Sequence, residues 1–319
     1  MRFLITGGAG FIGSHLVKAL VDSGHVVRVL DDLSYGSLDN LAAVADGFDF
    51  VKADVRDTDT LTRAMSGVDC AIHLAAISSV PRSVDTPTLT SSVNLLGSLN
   101  VLDQARRAGV KRVVVASSAA VYGESQEPVK TESLAPSPVS PYAADKVAVE
   151  IMCRVFHGLY GLETVALRYF NVYGPRQRAA TGYATVIPLF LGRMLQGEAP
   201  VIFGDGLQTR DFCHIDDVVA ATVLAATSPA AGHGEAINIG SGTSTTVLEL
   251  VKAINDLLGT NLRPVHAGPR PGDVRHSRGD ISLAADLLGY TPRVQLSVGL
   301  RRTAEWLRVS RSRRMRPAT

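Results

Sequence analysis

The stretch SPYAADK places a tyrosine, Tyr142, and a lysine, Lys146, four residues apart. On a helix that spacing puts both side chains on one face, one turn apart. An ammonium beside a phenol favours the phenolate and lowers the tyrosine pKa. A phenolate can take the proton of an alcohol as a general base. Such pairs are also common on helix surfaces, so the neighbours decide. Tyr142 is the one tyrosine of the chain with a lysine at i+4. Ser118 closes the apolar run RVVVASS. A hydroxyl at the carboxyl end of an α/β strand lies where ligands bind. Ser118, Tyr142 and Lys146 together read as a catalytic proton-transfer set.

A second stretch, MRFLITGGAGFIGSHL, supplies a partner for proton transfer. Gly7, Gly10 and Gly13 follow an apolar strand and open a helix whose first residues include Phe11 and Ile12. Gly7 permits a tight turn, Gly10 lets the backbone approach a pyrophosphate, and Gly13 lets helix and strand pack closely. The helix N-terminus adds amide donors and the positive end of a dipole. Asp31, at the end of the second strand, can accept hydrogen bonds from ribose hydroxyls and would repel a 2′-phosphate. NAD is therefore expected rather than NADP.

These residues need a scaffold that brings strand ends together. Over the first 170 residues, runs rich in β-branched residues alternate with helical patterns. Strands are expected at RFLIT, VVRVLD, FDFVKAD, CAIHLA, RVVVAS and TVALRYF. Helices are expected near 12–23, 57–66, 88–108 and 142–160. The strands are continuously apolar, which suits a parallel sheet buried on both faces. The fold class is α/β, a Rossmann-type doubly wound parallel sheet with a smaller mixed α/β lobe. Residues 1–170 are read as an NAD-binding domain. Residues 171–319 are read mainly as a substrate lobe, with helices near 184–197, 216–227, 246–258 and 282–288. A strand and helix near 214–240 are expected to return to the first domain.

Composition narrows the function classes. Forty-six per cent of the 319 residues are hydrophobic and 19% charged, an ordinary balance for a folded water-soluble protein. Apolar stretches break well before 18 residues, so no membrane span is expected. RFLIT is too short for a signal peptide, and a cytoplasmic location follows as an expectation. Cys70, Cys153 and Cys213 are widely spaced and read as reduced structural thiols; the eight histidines show no ligand spacing, so no metal is expected. The segment 301–319 carries seven Arg and one Glu. Without an aromatic platform it reads as a frayed, solvated terminus, and no nucleic-acid partner is expected.

In order along the chain stand TGGAGFIG, Asp31, KADVRD, HLAA, NLLGSLNVL, SSAAVYG, YAADK, RYFNVYGPRQ, VIP, GDGLQTRDF and RPGDVRHS. This series resembles the extended short-chain dehydrogenase/reductase family, and within it the NAD-dependent nucleotide-sugar epimerases acting on UDP-hexoses, UDP-N-acetylhexosamines or UDP-glucuronate. The resemblance implies that Asp54 and Val55 hold the adenine, that Ala75 and Asn94 lie along the cofactor, and that Lys146 also touches the nicotinamide ribose. It implies that Ser118 and Tyr142 meet the sugar 4-hydroxyl. It assigns the nucleotide diphosphate to Asn171, Arg210, Arg270 and Asp273. The implied reaction oxidises C4 to a ketone and reduces it on the other face, with NAD retained throughout. The family commonly forms homodimers through the Tyr/Lys helix and the helix near 88–108, so a homodimer is expected.

Two alanines bear on the branch. The related 4,6-dehydratases carry an Asp-Glu pair where Ala119 and Ala120 stand, and alanine transfers no proton. A reductase or decarboxylase is a weaker alternative, and a non-catalytic NAD-binding protein the weakest, since it would have no need of the proton-transfer set. For the sugar the cues divide. Ser277 occupies a position that is a bulky tyrosine in some strict UDP-glucose epimerases, leaving room for an acetamido group. Arg178, in GPRQR, matches an arginine near the sugar carboxylate of UDP-glucuronate 4-epimerases. Those enzymes tend to have Thr at Asn171, so the reading leans to UDP-glucose and UDP-N-acetylglucosamine, with UDP-glucuronate as the alternative. Asp145 stands where Ser or Thr is usual, and His214 where Tyr is common.

Overall fold

The computed structural model describes residues 1–177, 185–268 and 274–314. Seven strands form one parallel sheet. Their spatial order is His233–Ile239, Glu163–Tyr169, Arg112–Ser118, Cys70–His73, Arg2–Thr6, Val26–Asp31 and Phe48–Lys52. The chain runs one way from the first strand to the third, then returns to the other side of the first. That reversal opens a crevice at the carboxyl ends of Arg2–Thr6 and Cys70–His73, where such sheets bind ligands.

Side-chain alternation explains why each strand is continuously apolar. Phe3 and Ile5 pack on one face with Leu16, Val17 and Leu20 of the helix Phe11–Asp22 and with Val218 and Ala221 of Ile215–Thr227. Leu4 packs on the other face with Leu61 and Met65 of Thr58–Met65, Val101 of Gly97–Arg107 and Val149 of Pro141–Tyr160. Both faces are covered, so polar alternation has no place. AINIG forms the core of the edge strand His233–Ile239, beside Glu163–Tyr169.

A second layer lies over the strand ends. Four short strands order as Thr245–Thr246, Thr209–Arg210, His276–Gly279 and Val129–Lys130. Beside them, Ile187, Phe190, Leu191, Leu250, Ile254, Leu300, Ala304 and Leu307 form a separate apolar cluster.

Two expectations need correction. The arginine-rich segment is not a frayed coil over its described part: Leu296–Arg314 is a helix. Leu300, Ala304 and Leu307 recur at helical spacing and are buried, while Arg302 pairs with Asp216 at 2.7 Å on the outside. The helix near 88–108 is also not regular. Pro87–Ser91 runs into a π turn, Ser92–Leu96, before Gly97–Arg107. Within that turn lies Asn94, which is 1% exposed and bonds both ways to Ile77.

Among the described residues no helix is long and apolar enough to cross a membrane, and no group of three or more His, Cys, Asp or Glu could hold a metal ion. The three cysteines are buried and free.

Candidate active site

The glycines build a tight cradle. Gly7 adopts φ +70°, and a Cβ there would lie 2.7 Å from the Ala75 nitrogen. A Cβ on Gly13 would lie 2.2 Å from the Gly7 oxygen, so Gly13 packs the helix against the turn itself. Gly10 meets nothing but that same oxygen, at 3.1 Å, and caps the helix without any side chain. The first helical bond runs from the Ser14 N–H to the Gly10 carbonyl, at 3.0 Å. The N–H groups of Phe11, Ile12 and Gly13 precede it and form an anion-ready helix end.

Asp31 is 6% exposed at the end of its strand. Its Oδ2 accepts the Ala9 N–H at 2.9 Å and its Oδ1 the Leu33 N–H at 2.8 Å. Each carboxylate oxygen can take two hydrogen bonds, so both retain capacity for hydroxyls. Burial pushes the Asp31 pKa up, against the pull of the two amides. The Ala53 N–H meets the Asp31 carbonyl at 3.3 Å, so Asp54 and Val55 follow immediately beyond. The Asp54 carboxylate is clamped by Arg56, with Nη2 at 2.6 Å from Oδ2, which holds its pKa below the usual carboxylate range. Val55 is buried against Gly97. The amide of Asn94 ties down the backbone of Ile77.

Local sequence fixes the proton-transfer set. The Ser140 hydroxyl accepts the Ala143 N–H at 3.2 Å and Pro141 occupies the first turn, so the helix Pro141–Tyr160 starts just before Tyr142. Tyr142 and Lys146 then share a face, with Nζ 5.8 Å from the ring centroid. Ser118 ends its strand and accepts the Ala120 N–H at 3.1 Å, which turns the chain away. Its hydroxyl lies near enough to the Tyr142 phenol to act on that group's pKa. The three residues therefore converge.

Their electrostatics differ from the expectation. Burial pushes the Tyr142 pKa up, and the Ser118 contact opposes that. Burial also lowers Lys146 to about 8, while Asp145 and Glu150 pull it back up. At Tyr142 burial thus outweighs the Ser118 contact, while the Lys146 ammonium faces the Ala116 carbonyl at 2.7 Å. A cationic cofactor ring beside the phenol would act in the opposite sense. Asp145 is 5% exposed; its Oδ1 accepts from Ser91 at 2.8 Å and its Oδ2 is buried without a partner. His214 is buried, caps the helix Ile215–Thr227 and stacks edge-on against Tyr173, which fits a packing residue.

A cavity of about 260 Å³ opens beside Ser118. Asn171, Arg210 and Ser277 line it, as do Ala119 and Ala120. Arg210 and Ser277 face each other across parallel strands, and Arg210 Nη1 donates to the Val274 carbonyl at 2.7 Å. Arg178, Arg270 and Asp273 lie outside the described residues. Among the lining residues that sequence reasoning missed are Tyr122 and Lys130. It also missed the buried network behind them. Arg168 forks onto Glu150 at 2.9 and 2.8 Å and donates to the Tyr122 hydroxyl at 2.8 Å, which donates to Asn238 at 2.7 Å. SSAAVYG contained the Tyr122 signal; nothing local marked the others.

Residues 3–240 match the NAD dependent epimerase/dehydratase family. The chain belongs to that family. Its cofactor is NAD, which the glycine cradle, the uncapped helix end and Asp31 fit. The UDP-glucose 4-epimerase of Mycolicibacterium smegmatis is 44% identical over 97% of this chain and 99% of its own. Two solved structures overlay almost the whole chain. One is the UDP-glucose 4-epimerase of Thermotoga maritima with UDP-glucose, with a TM-score of 0.91 and 40% identity over 97% of this chain and 99% of that one. The other is the UDP-N-acetylglucosamine 4-epimerase of Methanobrevibacter ruminantium M1 in complex with UDP-N-acetylmuramic acid, with a TM-score of 0.92 and 40% identity over 97% and 98%. Within this family the present chain is thus similar to NAD-dependent enzymes that act on UDP-sugars.

Proposed function

We propose that this chain is a 4-epimerase of UDP-glucose and UDP-N-acetylglucosamine. The convergence of Ser118, Tyr142 and Lys146 beside a cavity walled by Ala119 and Ala120 carries the reading. Tyr142, as phenolate, takes the 4-hydroxyl proton, with the Ser118 hydroxyl holding the same oxygen. NAD held at the glycine cradle would supply the hydride acceptor for C4 and the hydride that re-forms the alcohol on its other face. Lys146 would supply positive charge to the phenolate and would help to hold the cofactor ribose. Tyr142 then gives the proton back to the re-formed alcohol, so protons and electrons balance over the cycle. Ala119 and Ala120 offer no acid or base for elimination at C5 and C6, which supports epimerisation over dehydration.

Asn171 and Arg210 on the cavity wall suit a diphosphate, with Arg270 assigned to the same role and Asp273 to the ribose hydroxyls of the nucleotide. Ser277 leaves space for an acetamido group, which supports including the hexosamine. Ile151, Val155 and Leu159 form an exposed stripe on the Tyr/Lys helix, and Leu89 and Leu96 lie exposed on its neighbour. We read this as the face that a second copy of the chain covers, giving a homodimer. Incubation with UDP-glucose, UDP-N-acetylglucosamine and UDP-glucuronate, read by product stereochemistry, tests the function. Conversion of UDP-glucuronate alone would reverse the order of substrates.

A further inference from the structure

The cavity wall carries a cation that this chemistry leaves unused. Lys130 is 2% exposed and lines the cavity together with Ser277. It lies opposite Gly279 in register, and Ser277 precedes Gly279 by two residues on the same strand. Residues opposite in register, and residues two apart, share a face of a sheet. Lys130 and Ser277 therefore border one space. The ammonium donates to the Ser125 carbonyl at 2.6 Å and to the Glu127 carbonyl. It makes no ion pair among the described residues. A lysine has three donors, so one remains after these two. The Glu127 carboxylate acts on this ammonium without forming an ion pair with it, and burial outweighs its pull, so the Lys130 pKa is lowered. The surrounding wall does not compensate: Ala119 and Ala120 are apolar, and the Tyr122 hydroxyl is engaged by Arg168 and Asn238.

We propose that Lys130 is a specificity-determining residue whose ammonium receives a strong acceptor oxygen carried by the hexose, a carboxylate or an acetamide carbonyl, in the space beside Ser277. The proposal rests on the UDP-sugar reading above. Charge-assisted bonds to such oxygens are stronger than those to a neutral hydroxyl, so the residue discriminates among sugars rather than aiding all equally.

The test uses the NAD-loaded protein and its Lys130→Gln and Lys130→Met variants. Glutamine keeps donors for the 125–127 backbone but removes the charge; methionine removes both. kcat/KM and calorimetric Kd are measured for UDP-glucose, UDP-N-acetylglucosamine and UDP-glucuronate, with melting temperatures to confirm folding. The glutamine variant is expected to lose at least tenfold more on one or both substituted sugars than on UDP-glucose. A loss confined to UDP-glucuronate identifies the carboxylate, and one confined to UDP-N-acetylglucosamine the acetamide. Equal losses on all three sugars overturn the proposal, as does a loss in the methionine variant alone, or a wild-type protein that binds neither substituted sugar. Binding without turnover of any sugar would strike the epimerase reading, while the Kd ratios would still decide Lys130.

Discussion

Lys146 donates to the Ala116 carbonyl at 2.7 Å, and this bond holds its ammonium 5.8 Å from the centre of the Tyr142 ring. The lysine is 4% exposed, and burial lowers its pKa from 10.5 to about 8. Between those values the unfolded chain holds a proton that the folded chain lacks. Stability from this group therefore rises with pH across the window, and below pH 8 the buried charge costs its full amount, about 3 kcal/mol. Leaving the Ala116 carbonyl unpaired costs about 1 kcal/mol. Lys146→Met should therefore melt higher than wild type at pH 7 in the NAD-free protein, with the advantage shrinking towards pH 10, while turnover is lost. Melting curves at the two pH values check this. A lower melting temperature at pH 7 would mean that the ammonium is not desolvated as described.

Gly10 and Gly13 should fail in different ways. A methyl on Gly13 would sit 2.2 Å from the Gly7 oxygen and 2.6 Å from the Gly8 Cα, so the turn must open. Gly13→Ala is expected to destabilise the fold by about 1–3 kcal/mol or more. A methyl on Gly10 lies 3.1 Å from one oxygen, which the fold can absorb. It would stand at the helix end that meets the pyrophosphate. Gly10→Ala should keep its melting temperature and weaken NAD binding at least tenfold. NAD titration and melting curves separate the two; intact NAD binding in Gly10→Ala would remove the cradle role from that residue.

The Glu150–Arg168 pair should matter to the fold more than its surface counterparts. Both side chains are almost fully enclosed, at 3% and 5% exposure. Breaking a buried pair strands a charge, at a cost of about 3–5 kcal/mol. Glu150→Gln should lower stability by that order in urea unfolding. Replacing both residues with apolar ones of similar volume should recover much of the loss. No measurable change in Glu150→Gln would show that water reaches the pair.

Much of this was legible in the chain. Phe3, Leu4 and Ile5 announce a strand covered on both faces because no polar residue interrupts them. Ser140, Pro141 and Tyr142 announce a helix start, since cap and proline act within one turn. Other features have no local signal. Val129–Lys130 is too short to show any period, yet it brings Lys130 to the cavity. Glu150 and Arg168 meet only because a helix lies on a strand, a contact that sequence spacing does not encode. The π turn at Ser92–Leu96 departs from the helical period. A helix around Trp306 was legible in the last segment, but its packing was masked by arginines such as Arg302 that lie outside the buried stripe of Leu300, Ala304 and Leu307.

The most direct test is the C4 configuration of UDP-glucose after incubation with NAD-loaded wild type and with Tyr142→Phe, followed by proton NMR. The account predicts that wild type converts it to an equilibrium mixture with UDP-galactose. It predicts that Tyr142→Phe, still holding NAD, is slower by at least about a hundredfold, as expected for loss of a general base. Undiminished conversion by Tyr142→Phe would contradict the assignment of the base. No change at C4 with wild type, for this sugar or its N-acetyl counterpart, would contradict the proposed reaction.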